Sequence, residues 1–273
     1  MRIGFIVEYD GSELHGSQLQ ANVRTVQGEL EEALGKLFER HVRVRLASRT
    51  DAGVHAEGQV AAFDIENTDL AFDTIREALN FHLPADVAVL GVAVAPEDFR
   101  PRSDATGREY TYTVLDRPAR SPLLRRRVAH VRSRLDTVAM AAAAELFEGT
   151  HDFASFAGPA VPRDAATVRI MEEASVKRHD DSVVFRMRGN AFLHQQVRRM
   201  TGLLLEVGRH RADKGRVSAL LEAPRRGTAG SLAPAQGLCL TRVIYPGAGP
   251  SGLPGAENTT ETNNTGAEQH SNG

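Results

Sequence analysis

The feature that most constrains the fold is the order in which two hydrophobic periodicities alternate along residues 1–95. Ile3, Phe5, Val7 and Tyr9 recur at every second position, the spacing of a strand with one buried face. Asp10-Gly11-Ser12 ends it as a turn. Helical spacing takes over at Val26, with Leu30, Ala33, Leu34, Leu37 and Phe38 on one side and Thr25 placed as the N-cap. Val42, Val44 and Leu46 return to alternation, opposite Arg43, Arg45 and Ala47. Residues 48–57 read as a loop and 60–65 as a strand. Residues 73–81 follow as a helix stopped at Leu83-Pro84, and 87–95 as an apolar strand. The order is strand, helix, strand, strand, helix, strand.

A looser echo follows. Residues 98–106 read as a crossing between halves. Tyr110, Tyr112 and Val114 then share one face of a strand, opposite Thr111 and Thr113. Asp136 is placed to cap an Ala-rich helix running through Phe147. Strands are expected near 168–177 and 182–189. Leu193, Val197, Met200, Leu204 and Val207 repeat at helical spacing, with Gly208 where a C′ glycine belongs. A short helix near 216–222 and a strand near 238–244 complete the pattern. The pattern predicts an α+β fold with antiparallel sheets and two related halves, 1–105 and 106–246. Beyond Pro246, Gly, Pro, Asn, Thr, Ser and Glu dominate, so 247–273 is expected to be a disordered tail.

Composition narrows the function classes. With 273 residues, 41% apolar and 25% charged, the chain can bury a sizeable core. It has no run of about 18 apolar residues and no signal-peptide pattern at its start, which predicts no membrane span and a cytoplasmic location. Cys239 is the single cysteine, too few for a disulfide or a cysteine-rich zinc site. Thirty of the 33 basic residues are Arg, the side chain whose planar fork suits phosphates and base edges. Codon bias in a GC-rich genome accounts for that preference equally well. Residues 117–134 hold seven Arg and no acid, with Asp116 just before them. Such a run reads either as a polyanion footprint or as a solvated loop.

Ala47-Ser48-Arg49-Thr50-Asp51-Ala52-Gly53-Val54-His55-Ala56 is the most unusual segment. It leaves a well-patterned strand and gathers Arg, Thr, Asp and His around a flexible Gly. An Asp at a strand end beside an Arg suits a nucleophile or a base, although an Asp before Ala-Gly is also an ordinary turn residue. A second concentration, residues 189–200, includes His194 and Arg198, four apart and hence on one helix face, with Arg198 able to reach inward to a carboxylate. His55-Ala56-Glu57 matches half of a zinc-deaminase signature, but the paired cysteines of the other half are missing. His151-Asp152 and His179-Asp180-Asp181 read as turns, and no metal is expected. Phosphate-loop, dinucleotide-binding and hydrolase-elbow motifs are absent from the sequence.

Taken together, these segments resemble the TruA family of tRNA pseudouridine synthases. The resemblance runs through Tyr9-Asp10-Gly11-Ser12, Gly16, Gln18-Leu19-Gln20 and 24–31 to the signature at 49–56. Leu83-Pro84, Phe99, Arg102, Tyr110, Tyr112, 151–156, Val197-Arg198 and 233–238 then follow in order. The resemblance implies isomerisation of uridine to pseudouridine at positions 38–40 of the tRNA anticodon arm. It implies a homodimer that needs no cofactor and no metal and does not act on DNA. It makes Asp51 the catalytic residue, and Tyr110, Arg49 and Arg198 substrate-binding residues. The implied fold is α+β, two similar halves sharing a mixed, largely antiparallel sheet with a central cleft. Three positions depart from the family: Ser17 stands where Trp is common, Ser48 where Gly is usual, and Arg199 where Asn is common.

Two other classes compete. A noncatalytic RNA-binding protein of the RNA-recognition type would carry an aromatic-rich motif that this chain lacks. A carboxylate-using hydrolase would need a second convergent acid, and none stands at a telling position. Because 247–273 has almost nothing to bury, its deletion should leave melting temperature and activity nearly unchanged. A large drop in melting temperature on calorimetry would show that it docks.

Overall fold

The computed structural model describes residues 1–66 and 68–246; the expected tail, 247–273, lies outside the described residues. The first half contributes β1 (Arg2–Tyr9), α1 (Val26–Phe38), β2 (Val44–Leu46), β3 (His55–Asp64), α2 (Phe72–His82) and β4 (Val87–Ala95). The second contributes β5 (Gly107–Leu115), β6 (Ala129–His130), α3 (Thr137–Ala144), β7 (Gly149–Asp152), β8 (Val168–His179), β9 (Ser182–Gly189), α4 (Gln196–Gly208), α5 (Lys214–Glu222) and β10 (Leu238–Ile244).

The ten strands of the described residues form one sheet in the order β4-β1-β3-β10-β5-β9-β8-β7, with β2 against β3 and β6 against β5. The alternating patterns translate into a topological repeat. In the first half β1 is flanked by antiparallel β3 and β4, and β2 pairs with β3. In the second, β5 is flanked by antiparallel β9 and β10, and β8 pairs with β9. Thus β1, β2, β3 and β4 correspond to β5, β8, β9 and β10. The sheet is mixed rather than purely antiparallel, because β10 joins β3 in parallel, as does β6 with β5.

Local chemistry accounts for the helices. Thr25 caps α1 by accepting the Gly28 N–H, and Asp136 caps α3 by accepting those of Val138 and Ala139. Leu30 and Leu34 of α1 and Ile75 and Leu79 of α2 are fully buried, in one core with Phe5 and Phe63 of the sheet. In the second half, Met140 of α3 and Met200 and Leu204 of α4 join that core with Phe147, Phe153, Phe156 and Phe185. The Ala-rich helix ends at Ala144 and finishes as a tight turn over Glu145–Phe147.

Three expectations are corrected. β3 begins at His55 rather than near residue 60, because its first residues pair with β10, a partner supplied far later in the chain. Gly208 is the last helical residue of α4, not a left-handed cap; a Cβ there would run into the Met140 thioether, so the glycine serves the contact between α3 and α4. α4 begins at Gln196, after Leu193 and His194. Gln195 is left-handed at φ 62°, and the Gln196 side chain accepts the Leu193 N–H at 2.8 Å.

The edge of β3 facing away from β1 is shared. β10 takes its first residues, His55 and Ala56, and β2 takes its last, Ala61 to Phe63. Between them lies Gly58, packed so closely against β10 that a Cβ would collide with the Thr241 carbonyl and lie 3.3 Å from the Arg242 Cα. Gly58→Ala should force the two half-sheets apart, costing about 1–3 kcal/mol as overpacking does. Thermal unfolding checks this, and an unchanged melting temperature would show that the joint yields freely.

Candidate active site

The segment linking β2 to β3, residues 47–54, leaves the sheet where β2 and β10 flank the same edge of β3. Its backbone is held by a buried polar network. Fully buried Gln59 accepts the Ser48 N–H at 3.0 Å and donates to the Ser48 carbonyl at 2.8 Å. Fully buried Ser17 accepts the Thr50 N–H through Oγ at 2.9 Å, and its own N–H donates to the Thr50 carbonyl at 3.1 Å. The Tyr9 hydroxyl meets Thr50 Oγ1 at 2.8 Å. Gly16, at φ 95°, approaches so closely that a Cβ would lie 2.8 Å from the Thr50 carbonyl oxygen. Buried backbone groups must be paired, and these pairings leave the loop little freedom.

The loop presents Asp51 to a cleft of about 890 Å³. Arg198, in the first turn of α4, places Nη1 at 2.8 Å from Asp51 Oδ2 and donates through Nε to the Ala233 carbonyl. His194 Nε2 lies 3.4 Å from Asp51 Oδ1. The Asp51 and Arg198 side chains are 20% and 13% exposed, so the pair is partly desolvated but open to the cleft. Five arginines line the cleft (Arg49, Arg102, Arg108, Arg169 and Arg198), and Asp51 is the single carboxylate among the described residues that line it. The cleft therefore favours an anion, with one negative group fixed at its floor.

The other arginines differ in freedom. Arg49 is exposed and has no carboxylate partner among the described residues. Arg108 is buried and donates to the carbonyls of Arg102, Ala105 and Asn190 at 2.7, 3.0 and 3.0 Å, so it ties the crossing segment to the end of β9. Burial, then the charges of Arg49 and Arg108, lower the pKa of Arg102 below the usual guanidinium value. The Tyr110 ring stands edge-on to Phe192 at 5.1 Å. Burial pushes its phenol up to about 12, against the opposing pull of Arg108 and the Ser48 hydroxyl.

Asp51, Tyr110, Arg49 and Arg198, all singled out from the sequence, thus line the same cleft. Arg169 lines it too, yet it lies in β8 with no motif around it to mark it. The i, i+4 spacing of His194 and Arg198 was expected to act through a helix face. His194 precedes α4 instead, and the two side chains converge on Asp51 from loop and helix.

Residues that tempted a metal reading have other work. His55 is buried, accepting the Gly11 N–H, while Glu57 is exposed. Asp152 accepts the Ala154 N–H, and Asp181 pairs with Arg117 and Arg134. In the basic run, Arg117, Arg126 and Arg134 pair with carboxylates, and none of the seven arginines lines the cleft.

Comparisons with known proteins agree on one description. A family model described as tRNA pseudouridine synthase matches residues 5–102 and 143–246. A tRNA pseudouridine synthase A from Methylobacterium nodulans is 43% identical over 246 residues, covering 90% of this chain and 96% of that protein. One from Pelobacter propionicus is 43% identical, covering 89% and 99%. One from Roseiflexus sp. is 44% identical over 267 residues, covering 95% and 97%.

Tyr110 shares its protonation state with the other tyrosines. Burial raises the phenols of Tyr9, Tyr112 and Tyr245 above the ordinary value of 10.0 as well. The folded protein therefore holds these protons more tightly than the unfolded chain. Stability from this source is level below pH 10.0 and falls as pH rises toward 12. In an alkaline titration, phenolate absorbance should rise together with loss of the circular dichroism signal. Phenolate appearing in the still-folded protein near pH 10.0 would contradict the burial argument.

Proposed function

The chain belongs to the tRNA pseudouridine synthase family, and from that membership we propose that it isomerises uridine to pseudouridine at positions 38–40 of the tRNA anticodon arm with Asp51 as the catalytic residue. The observation that carries this reading is the isolation of Asp51. It is the one carboxylate among the described residues lining an arginine-rich cleft, and a guanidinium holds one of its oxygens at 2.8 Å. A polyanionic substrate is drawn in, and the single negative group is positioned at the point of chemistry.

The reaction needs little beyond that. A stacked uridine must first be flipped out, at a cost of a few kcal/mol. The N1–C1′ bond then breaks, the uracil turns, and C5 bonds to C1′. The C5 proton leaves, and N1 ends with a proton. No electrons are exchanged and no atoms are lost, so the reading requires neither cofactor nor metal. Asp51 can attack C1′, attack the base, or take a proton as a glycal forms. Each role requires a carboxylate rather than an amide at this position.

Tyr110 and Phe192 offer a flipped base an aromatic wall. Burial raises the Tyr110 phenol to about 12, so its resting form is the neutral ring, placed to stack against the flipped base or to assist removal of the C5 proton. Arg49, exposed at the rim, is suited to a phosphate of the arm. The same reading assigns 1–105 and 106–246 as the two halves, a homodimer as the working form, tRNA rather than DNA as the partner, and the cytoplasm as the location. No helix among the described residues is long and apolar enough to cross a membrane.

Asp51→Asn keeps size and shape but removes the charge. Tritium release from C5-labelled uridine in tRNA should fall about a thousandfold or more. Binding should survive, since phosphate contacts elsewhere hold the tRNA. Near-normal pseudouridine formation by Asp51→Asn would overturn the assignment.

A further inference from the structure

Asp51 has two carboxylate oxygens, and they are treated differently. Oδ2 accepts a hydrogen bond from Arg198 Nη1 at 2.8 Å, and that guanidinium is itself fixed through Nε on the Ala233 carbonyl at 2.9 Å. Oδ1 faces His194 Nε2 at 3.4 Å. The tautomer of His194 decides what that contact is. Its Nδ1 is buried with no hydrogen-bond partner. Gly158 explains why: a Cβ there would collide with His194 Nδ1 and lie 2.8 Å from the His194 carbonyl oxygen, so the ring is packed against bare backbone. The Gly158 N–H also donates to that carbonyl, at 2.8 Å, which fixes the main chain of His194.

Nδ1 is buried and makes no hydrogen bond, not even to the equally unpartnered Gln195 Oε1 beside Gly158, whereas Nε2 lies 3.4 Å from a carboxylate oxygen that a proton there can serve. The neutral imidazole therefore carries its hydrogen on Nε2. We propose that His194 is a positioning residue for this reaction: as a neutral Nε2–H donor, gripped by Gly158, it holds Asp51 Oδ1 and sets the plane of the carboxylate toward the bound nucleotide. The inference rests on Asp51 acting on a nucleotide in the cleft, as proposed above. Arg198 alone leaves the carboxylate free to turn about its bond to Oδ2; a second donor on the other oxygen removes that freedom. The contact is longer than an ideal hydrogen bond, as such contacts commonly are before substrate seats. His194 is 34% exposed on its side chain, so the ring also borders the space where the nucleotide would lie.

Two measurements test this, one of them independent of catalysis. Long-range nitrogen–proton NMR on the wild-type protein, with His194 assigned by comparison with His194→Gln, should show the hydrogen on Nε2. In Asp51→Asn the same nitrogen should shift. A hydrogen on Nδ1, or an Nε2 signal indifferent to Asp51→Asn, overturns the proposal whatever the reaction is. In kinetics, His194→Leu should lower kcat about ten- to a hundredfold with KM for tRNA unchanged, the scale of loss from a misplaced reacting group. His194→Gln, which restores a neutral donor, should recover most of it. A His194→Leu enzyme with normal kcat, a loss confined to KM, or a His194→Gln enzyme as slow as His194→Leu would each overturn the positioning role. The last would assign the work to a charged imidazole. Absence of pseudouridine formation by the wild type, with the NMR result as expected, would refute the proposed reaction and leave the His194–Asp51 contact standing.

Discussion

Everything in this molecule hangs on the short parallel contact between β3 and β10. Only His55 and Ala56 pair with Cys239 and Leu240, yet this joins two half-sheets that are otherwise complete. Each half is a helix-covered unit whose free sheet edge would expose unpaired backbone. Joining the halves satisfies both edges at once. It also decides where the Asp51 loop sits, since β2 and β10 share one edge of β3 and the loop between β2 and β3 must emerge at the seam. Gly58 shows how tight the seam is, with no room for a single methyl group against Thr241.

At that seam the problem is to bury a polar loop without strain, and the solution is a closed hydrogen-bond network. Gln59 spends both ends of its amide on Ser48, and Ser17 binds both backbone groups of Thr50. The small Ser17 hydroxyl fits into full burial and supplies a hydrogen bond that an indole in that place could not make in the same way. The rigidity matters because Arg198 approaches from 147 residues away, and a carboxylate on a loose loop would not meet it at 2.8 Å.

Charge is arranged on the same plan. Acidic and basic residues nearly balance over the whole chain, at 35 and 33, yet the lining of the cleft is strongly one-sided. Many arginines elsewhere are neutralised in structural pairs, such as Arg178 on buried Asp116 and Arg117 on Asp181. The basic run at 117–134 reads in the sequence either as a polyanion footprint or as a solvated loop. In three dimensions none of its arginines lines the cleft, which draws its charge from arginines scattered over other segments.

The sequence by itself determined the helices and the longer strands, the family, and Asp51 as a candidate that the structure places in the cleft, but not the short strands β6 and β7. Periodicity and caps are local, so α1 with Thr25 and α3 with Asp136 were legible from a few neighbouring residues. The ordered series of motifs from Tyr9 to Leu238, the signature at 49–56 among them, placed the chain in its family, which the strand and helix order alone would not have done. Only the tertiary structure decided what depends on distant partners. It moved the start of β3 to His55, where β10 supplies the hydrogen bonds, and gave Gly208 to the packing of Met140. It also brought His194 and Arg198 onto opposite oxygens of Asp51, and Arg169 into the same cleft. Hydrophobic period records which face of an element is buried, but it carries no record of which remote segment buries it. The site is assembled from such remote pairings.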